Sequence, residues 1–343
     1  MFLVADGNNL AWAGFHALRK AMGAETPEAL TRAALLGLTQ SVLGFAARGG
    51  EPPLPGRGEG AAPPPGLFIS RLAVAFDEGR PLRRRSIYPG YQMGREATPA
   101  FTGNEPFVLA AIDQFIELAR MLPIEVARGV NTEADDLIAC LVLAAATRAR
   151  IASTDRDFLQ LVDERISIFS PVKRVVIGMA NFDDTVAPRR SDGSAVRFPR
   201  ERYLQYRIAS GDAGDNLPGI PGVGALTAAQ LLAAADLDAF FAQPMLVTRV
   251  LGRRNVKLEG ALREPETKAI VERNRELMDL RLAASRYESL AEYVTAGAWD
   301  EPGFRAWIGE QRVAGLDLDA VCRTLEGIAT GSVPVPRGQL PLP

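Results

Sequence analysis

The 343-residue sequence is short of several things that would carry chemistry elsewhere. It has one histidine, His16, which excludes a His-rich zinc site and any mechanism built on several imidazoles. Two cysteines, Cys140 and Cys322, are too few for a disulfide-rich scaffold or a metal knuckle. Charge of one sign is also lacking: 39 basic residues face 41 acidic ones, a net −2, which argues against a non-specific polyanion binder. Lysine is scarce, with four residues, so phosphate contacts would fall mainly to arginine. No uninterrupted apolar run reaches the roughly 20 residues of a bilayer crossing. Asp6 follows closely on Met1 with no basic region or long apolar segment between them, and the expectation is a cytoplasmic, unsecreted protein. Any catalysis has to rest on carboxylates.

Hydrophobic residues make up 47% and charged residues 23%, enough for a buried core. At ~150 residues per domain, the length suggests two domains and a tail. Short apolar strands are expected at Phe2–Ala5, Leu72–Phe76, Ile124–Val126, Arg150–Thr154 and Ile166–Phe169. Helices are expected from Pro27 to Ala47, from Phe107 to Leu122, and from a Thr132 cap to about Ala146. Strands alternating with helices predict an α/β fold with a mostly parallel central sheet flanked by helices. The first domain is placed at 1–195. From Pro199 the pattern is helical, giving a second domain at 196–328. Residues 329–343 read as a proline-rich disordered tail, and Gly49–Gly66 as a flexible loop.

Three predicted strands end in aspartate: Asp6, Asp77 and Asp155. In an open α/β sheet the carboxyl ends of the strands border the ligand crevice. Asp157, two residues after Asp155, would face the same way in extended chain. Glu133, Asp135 and Asp136 fall in the first turn of a helix. Asp212 and Asp215 are three apart, close enough to share a face of a helical turn. Taken singly, each has a plainer reading as a turn former or a dipole-offsetting acid. Together they are nine carboxylates at matching places around one crevice. Two unit charges 4 Å apart cost ~4 kcal/mol at an effective dielectric near 20, so the cluster requires cations or protons. An all-oxygen donor set selects a hard ion, Mg²⁺ or Mn²⁺ in its place. Two such ions ~4 Å apart are the arrangement that cleaves phosphodiesters. Setting those nine acids aside leaves 32 against 39 basic residues, so the remaining surface can be basic although the total is not.

Asp215 through Gly224 leads into a helix expected at Leu226–Ala235. A Gly222-Val223-Gly224 turn between helices exposes backbone N–H groups at a helix start, the helix–hairpin–helix pattern that holds a duplex strand by its phosphates. Arg83, Arg84 and Arg85, followed by Tyr88, Tyr91 and Arg95, interleave bases with aromatics. Beside a phosphodiester site this suggests guanidinium groups on phosphates and rings against unpaired bases. Arg249, Arg253, Arg254 and Lys257 could extend the track.

These residues fall into ordered motifs over about residues 1–235: Val4-Ala5-Asp6-Gly7-Asn8-Asn9-Leu10 with Phe15-His16-Ala17; Ala75-Phe76-Asp77; Tyr88-Pro89-Gly90-Tyr91 through Arg95; Glu133-Ala134-Asp135-Asp136; Ser153-Thr154-Asp155-Arg156-Asp157 with Gln160-Leu161; and Gly211-Asp212 through Gly224. With them the chain resembles 5′-nucleases of the flap endonuclease class, above all the bacterial and phage 5′-3′ exonucleases, including the N-terminal domain of bacterial DNA polymerase I. The resemblance implies a PIN-like nuclease domain at 1–195, a helical arch at about 80–106, and a helix–three-turn–helix DNA-binding domain at 196–328. It implies two divalent ions, Mg²⁺ with Mn²⁺ as substitute, and products bearing a 5′-phosphate. Asp77, Glu133 and Asp135 would hold the first ion with Asp6 in its water shell. Asp155, Asp157, Asp212 and Asp215 would surround the second, and Asp136 would support the cluster. Hairpin carbonyls in this class commonly hold K⁺, and Thr227 with Gly222, Val223 and Gly224 would meet the DNA. The class usually carries a lysine where this chain has Gln92, and another before Thr227, where it has Leu226. Arg84 or Arg95 would then supply the cation at the scissile phosphate. The expected partner is DNA with a free 5′ end or 5′ flap, or an RNA–DNA hybrid, acted on by a monomer with no membrane attachment.

Two rival readings remain at this point. A PIN-type ribonuclease shares the sheet and part of the acid set but lacks the hairpin module, and RNA hairpins compared with flapped DNA would separate the two. A non-catalytic junction-binding protein fits Gln92 but leaves nine acids without a purpose.

Overall fold

The structure is a computed structural model describing residues 1–52 and 68–331; most of the loop expected at 49–66, and the tail after 331, lie outside these. The central sheet contains β1 (Phe2–Asp6), β2 (Arg71–Ala75), β3 (Glu125–Ala127), β4 (Ala149–Ala152), β5 (Ile166–Ser170) and β6 (Val175–Ile177). Two further strands, β7 (Gly211–Asp212) and β8 (Leu217–Pro218), form a separate small ribbon, and β9 (Val294–Ala296) returns to the main sheet. The main order is β6-β5-β4-β1-β2-β3-β9, with the five inner strands parallel and antiparallel strands at both edges. The expected α/β fold with a mostly parallel sheet is what is found.

Inner strands buried on both faces read as continuous apolar runs. In β1, Phe2 and Val4 enter one core while Leu3 and Ala5 enter the other; in β2, Ala73 and Ala75 oppose Leu72 and Val74 in the same way. One face is covered by α1 (Gly7–Ala21) and α2 (Pro27–Ala47), which touch backbone to backbone: a Cβ on Gly14 would lie 2.6 Å from the Gly37 backbone. By length and composition α2 could cross a membrane, yet 72% of its apolar stretch is buried inside the protein. Its apolarity serves the core.

Three short helices, α3 (Leu82–Ile87), α4 (Met93–Glu96) and α5 (Pro99–Thr102), follow β2 and lead into α6 (Glu105–Ala119), which packs on α2. α7 (Ala134–Ala144) crosses the opposite face and supplies Leu137, Ile138 and Leu141 to its core. After α8 (Phe182–Val186) comes the helical module: α9 (Tyr203–Ser210), the β7–β8 ribbon, α10 (Ala225–Ala234), α11 (Leu237–Ala242), α12 (Leu246–Leu251), α13 (Val256–Ala261), α14 (Pro265–Met278) and α15 (Leu280–Ala284). The chain then comes back to the sheet. β9 pairs with β3, and α16 (Glu301–Gln311) and α17 (Leu318–Thr330) bury Phe304, Ile308, Val321 and Leu325 in the α1–α2 core.

Candidate metal centre and phosphate-binding hairpin

Parallel pairing sets the strand ends side by side. Asp6 lies opposite Ala75, and Ala5 opposite Ala152, so the aspartates that follow β1, β2 and β4 open onto one crevice. Asp6 is 5% exposed; its carboxylate caps α1 by accepting the Asn9 N–H at 3.0 Å and accepts the Ser153 hydroxyl at 2.7 Å. Burial nevertheless pushes Asp6 up to about 7, with Asp77 and Asp155 adding repulsion. Asn9 stitches the β1 and β4 ends together through Thr154, donating to its hydroxyl at 2.7 Å and accepting its N–H at 3.0 Å.

Asp77 does two jobs. Its N–H donates to Asn8 Oδ1 at 3.0 Å, and its carboxylate accepts the Ala134 N–H at 2.7 Å. The start of α7 is therefore capped from another strand end. Thr132, the expected cap, lies one residue outside the N-cap position, which Glu133 occupies without a side-chain cap bond. Glu133 is pushed up to about 7 by burial, partly opposed by Arg84. Burial, then the charges of Asp155, Asp6, Asp77 and Glu133, hold Asp135 well above the usual carboxylate range. Asp136 turns to the other side of the helix, toward Arg84 (2.6 Å) and the Tyr287 hydroxyl (3.4 Å).

Asp155 and Asp157 do not lie in extended chain. Asp155 accepts the Asp157 N–H at 2.8 Å, and Asp157 opens a 3₁₀ turn, so a turn and not strand alternation sets the two carboxylates. Nor do Asp212 and Asp215 share a helix: Asp212 ends β7 and Asp215 sits in the turn before β8, with Asn216 in the left-handed region at φ 57°. They still converge. Among the described residues, only Asp157, Asp212 and Asp215 have ligand oxygens all within 4.8 Å of one another. Asp77, Glu133 and Asp135 line the neighbouring cleft at wider spacing. Asp157 is pushed up to about 8 by burial, opposed by the Arg207 guanidinium.

Two buried arginines sit inside this acid set. Arg84, 4% exposed, pairs with Glu133 and Asp136, and its Nε donates to the Leu277 carbonyl at 3.1 Å. Arg207 places Nη2 2.7 Å from Asp157 Oδ1 and also on Asp212. Burial works against charge on both, and the carboxylates outweigh it, holding both guanidinium groups protonated. Tyr91, also buried, donates to Glu133 Oε1 at 3.2 Å and lies 3.4 Å from Asp215 Oδ2, bridging the two halves of the site. Gln92, at φ 58°, points its amide at the Tyr91 hydroxyl (3.3 Å) and Glu133 (3.5 Å), while its N–H donates to the Asp215 carbonyl at 3.1 Å.

A cleft of about 830 Å³ opens over these acids. It is lined as well by Trp12, stacked on Phe101 at 4.9 Å, by the exposed His16, and by Arg80 and Arg85. The Arg83–Arg85 run is divided. Arg83 pairs with Glu276 at 3.2 Å, Arg84 is buried, and Arg85 lines the cleft. Tyr88 lies under Arg273, whose guanidinium carbon is 4.3 Å from the ring centre. Arg95 lies on α4, and its side chain is outside the described ones.

In the hairpin, Gly222 takes φ 82°, Gly222 and Gly224 are exposed, Val223 is buried, and Thr227 is half-buried in the first turn of α10. Asn274, fully buried on α14, braces the hairpin through the Ile208 (3.3 Å) and Pro218 (2.9 Å) carbonyls. Asn216 ties it to the Gly90 carbonyl at 2.8 Å. Arg249, Arg253, Arg254 and Lys257 are exposed around α12 and α13. Arg207 and Asn274 carry no pattern in the sequence that marks them, and Ser153 entered only as part of a motif, with no role of its own. The only signal for Arg207 is a lone cation in an otherwise apolar turn of α9, five residues before Asp212.

Residues 1–187 match the family described as 5′-3′ exonuclease, N-terminal resolvase-like domain. DNA polymerase I of Mycobacterium tuberculosis is 34% identical over 282 residues, which is 81% of this chain and 27% of that protein. A bacteriophage T5 5′-exonuclease with bound zinc superposes at TM-score 0.59 and 17% identity, covering 92% of this chain and 99% of that one. A bacteriophage T5 flap endonuclease complexed with DNA and metal ions gives 0.57 and 18%, covering 96% and 99%. At such identities the two structures speak for the fold alone. The chain spans about a quarter of the length of the curated relatives it matches.

Proposed function

This chain belongs to the 5′-3′ exonuclease family, and we propose that it is a metal-dependent 5′-3′ exonuclease and 5′-flap endonuclease that hydrolyses DNA phosphodiesters and leaves 5′-phosphate ends. The observation that carries the proposal is the close triad of Asp157, Asp212 and Asp215 beside a cleft lined by Asp6, Asp77, Glu133, Asp135 and Asp155. The donors are carboxylate oxygens with no nitrogen or sulfur among them, which suits Mg²⁺, or Mn²⁺ in its place. Asp155, Asp157, Asp212 and Asp215 would hold one ion, and Asp77, Glu133 and Asp135, with Asp6, the other. When bound, such a pair supplies an activated water and charge neutralisation at the leaving oxygen.

The chain's own residues do the rest. The exposed Gly222 and Gly224 suit backbone N–H contact with a duplex phosphate, with the Val223 N–H between them closing the turn on the Ile220 carbonyl at 2.9 Å, and carbonyls of the same turn could hold K⁺. Asn216, in the β7–β8 turn that leads into it, donates to the Gly90 carbonyl beside Tyr91 and Gln92, and Asn274 holds the Pro218 carbonyl, which would keep the duplex near the acids. Residues 80–106 would act as the arch that admits a frayed 5′ strand, with Arg85 on its backbone and Trp12 and Phe101 against its bases. In the arginine-rich arch, Arg95 is the candidate to supply the charge that neutral Gln92 lacks; Arg84 is already spent on Glu133 and Asp136. The substrate is DNA with a free 5′ end or flap, and RNA–DNA hybrids fit the same backbone-reading hairpin. The setting is DNA replication or repair by a cytoplasmic monomer, with the helical module within 196–328 as the duplex-holding part. A single-turnover assay on a 5′-flap duplex with Mg²⁺ tests this: cleavage with a 5′-phosphate on the product is expected. Tight binding without cleavage would leave a junction-binding protein instead.

A further inference from the structure

Each half of the acid pocket contains a buried arginine, and the two are held differently. Arg84 is pinned at every edge: Nε on the Leu277 carbonyl, and one terminal nitrogen each on Glu133 and Asp136. Arg207 is held by one nitrogen. Its Nη2 contacts both Asp157 and Asp212, while its Nε is buried with no hydrogen-bond partner. Asp157 and Asp212 are two of the three residues whose oxygens form the close triad.

From this contrast we infer that Arg207 is a resident counter-ion of the triad, occupying the position a divalent ion takes, and that the second ion enters only by displacing it. The inference rests on the proposed metal dependence. A dication bound at 2.0–2.6 Å from carboxylate oxygens cannot share the Asp157–Asp212 gap with a nitrogen 2.7 Å from one of them. Like charges at that range also repel in a buried site. The backbone beneath does not yield. Tyr203, one turn earlier on α9, is buried and donates to the Arg156 carbonyl at 3.0 Å, and α9 ends at Gly211, φ 74°, directly before Asp212. Only the side chain can move, and with Nε unpartnered, leaving gives up the Nη2 contacts to Asp157 and Asp212 alone, which the incoming ion replaces. Arg207 is thus a positioning residue: it keeps the triad together without metal and sets how strongly the second ion is held.

Mn²⁺ titration of the DNA-free full chain, followed by electron paramagnetic resonance and calorimetry, reads this directly. Wild type should bind a first ion and then a second, weaker one. Arg207→Gln, which keeps a hydrogen-bond donor near the acids but removes the charge, should tighten the second ion at least tenfold, while Arg207→Lys should leave it as weak as in wild type. Two ions bound with the second unchanged or weaker in Arg207→Gln would overturn the inference and leave the metal reading intact. No ion at the acids in any version would sink the metal reading and the inference with it. Because the Gln variant could fail to fold, a crystal structure of wild type with Mn²⁺ gives an independent answer: an ion in the triad with Nη2 moved off Asp157 supports displacement, and an ion there with the guanidinium in place refutes it.

Discussion

Raising the pH in the absence of divalent ions should destabilise this protein, and three carboxyls set the scale. Burial pushes Asp6 and Glu133 up to about 7 and Asp157 up to about 8, whereas acids in an unfolded chain titrate near ~4. A group whose pKa is higher folded than unfolded contributes fully below the unfolded value, and that contribution is lost as pH rises through the folded value. Between about pH 4 and about pH 8 the unfolded chain releases protons that the folded pocket retains, so stability falls as pH rises. A shift of ~3 units on one isolated group corresponds to about 4 kcal/mol. Groups sharing a pocket titrate together and do not add, so one group's worth, on the order of 4 kcal/mol, is the expectation for the set. Between about pH 5.5 and about pH 8.5, the upper half of that window, roughly half of this is lost, so at roughly 2–3 °C per kcal/mol for a chain of this size Tm measured in EDTA should drop by about 5 °C. Millimolar Mg²⁺ should remove most of that drop by making the ionised carboxylates favourable. Asp6→Asn keeps the acceptor for the Asn9 N–H, and should raise Tm in EDTA at the alkaline end and flatten the profile. Scanning calorimetry across the pH series measures all three. A melt in EDTA that is flat, or that rises with pH, would refute the reasoning.

Asp155→Asn should reduce single-turnover cleavage of a 5′ flap by at least ~10³-fold while flap affinity changes little, because the hairpin is untouched; turnover near wild type would remove Asp155 from the site. Gln92→Lys places an ammonium where the neutral amide now lines the cleft 3.5 Å from Glu133, and should lower the barrier of the chemical step by ~2–4 kcal/mol. An unchanged rate would mean that an arginine already serves there. Gly211→Ala puts a Cβ 2.4 Å from the Gly219 nitrogen at φ 74°, and should cost about 3 kcal/mol or more, seen as a lower urea midpoint together with weaker duplex binding; a midpoint equal to wild type would show that the hairpin absorbs the atom.

The α/β alternation and the acid-bearing strand ends were legible because both follow from local pattern: apolar runs buried on both faces, three of them running into an aspartate. α2 begins and ends at the expected residues, Pro27 and Ala47. What escaped depends on partners distant in the chain. β9 is three residues long, and its partner β3 lies about 170 residues earlier, so no periodicity marks it. Thr132 fits a cap by residue type, but Asp77, from the next strand over, reaches the Ala134 N–H instead. The Asp212–Asp215 spacing suits a helix equally well until Asn216 and Gly211 take positive φ and turn the segment into a ribbon. The run Arg83-Arg84-Arg85 reads as one basic patch, yet successive residues on a helix point about 100° apart. One of the three consequently goes inward to the acids.

The pairing of β9 with β3 has a consequence for cutting this protein into pieces. Because the chain leaves the sheet domain after α8 and re-enters it at β9, the helical module is a guest fastened at both ends, and the host is completed only by the last forty or so residues described. A fragment stopped near residue 195 would lose the edge partner of β3 as well as α16 and α17, leaving bare ladder groups and an open apolar floor against which copies would pair. Excising the guest and rejoining its two ends would keep the sheet edge but uncover the α7 face that packs on α15, whereas truncation loses the edge as well.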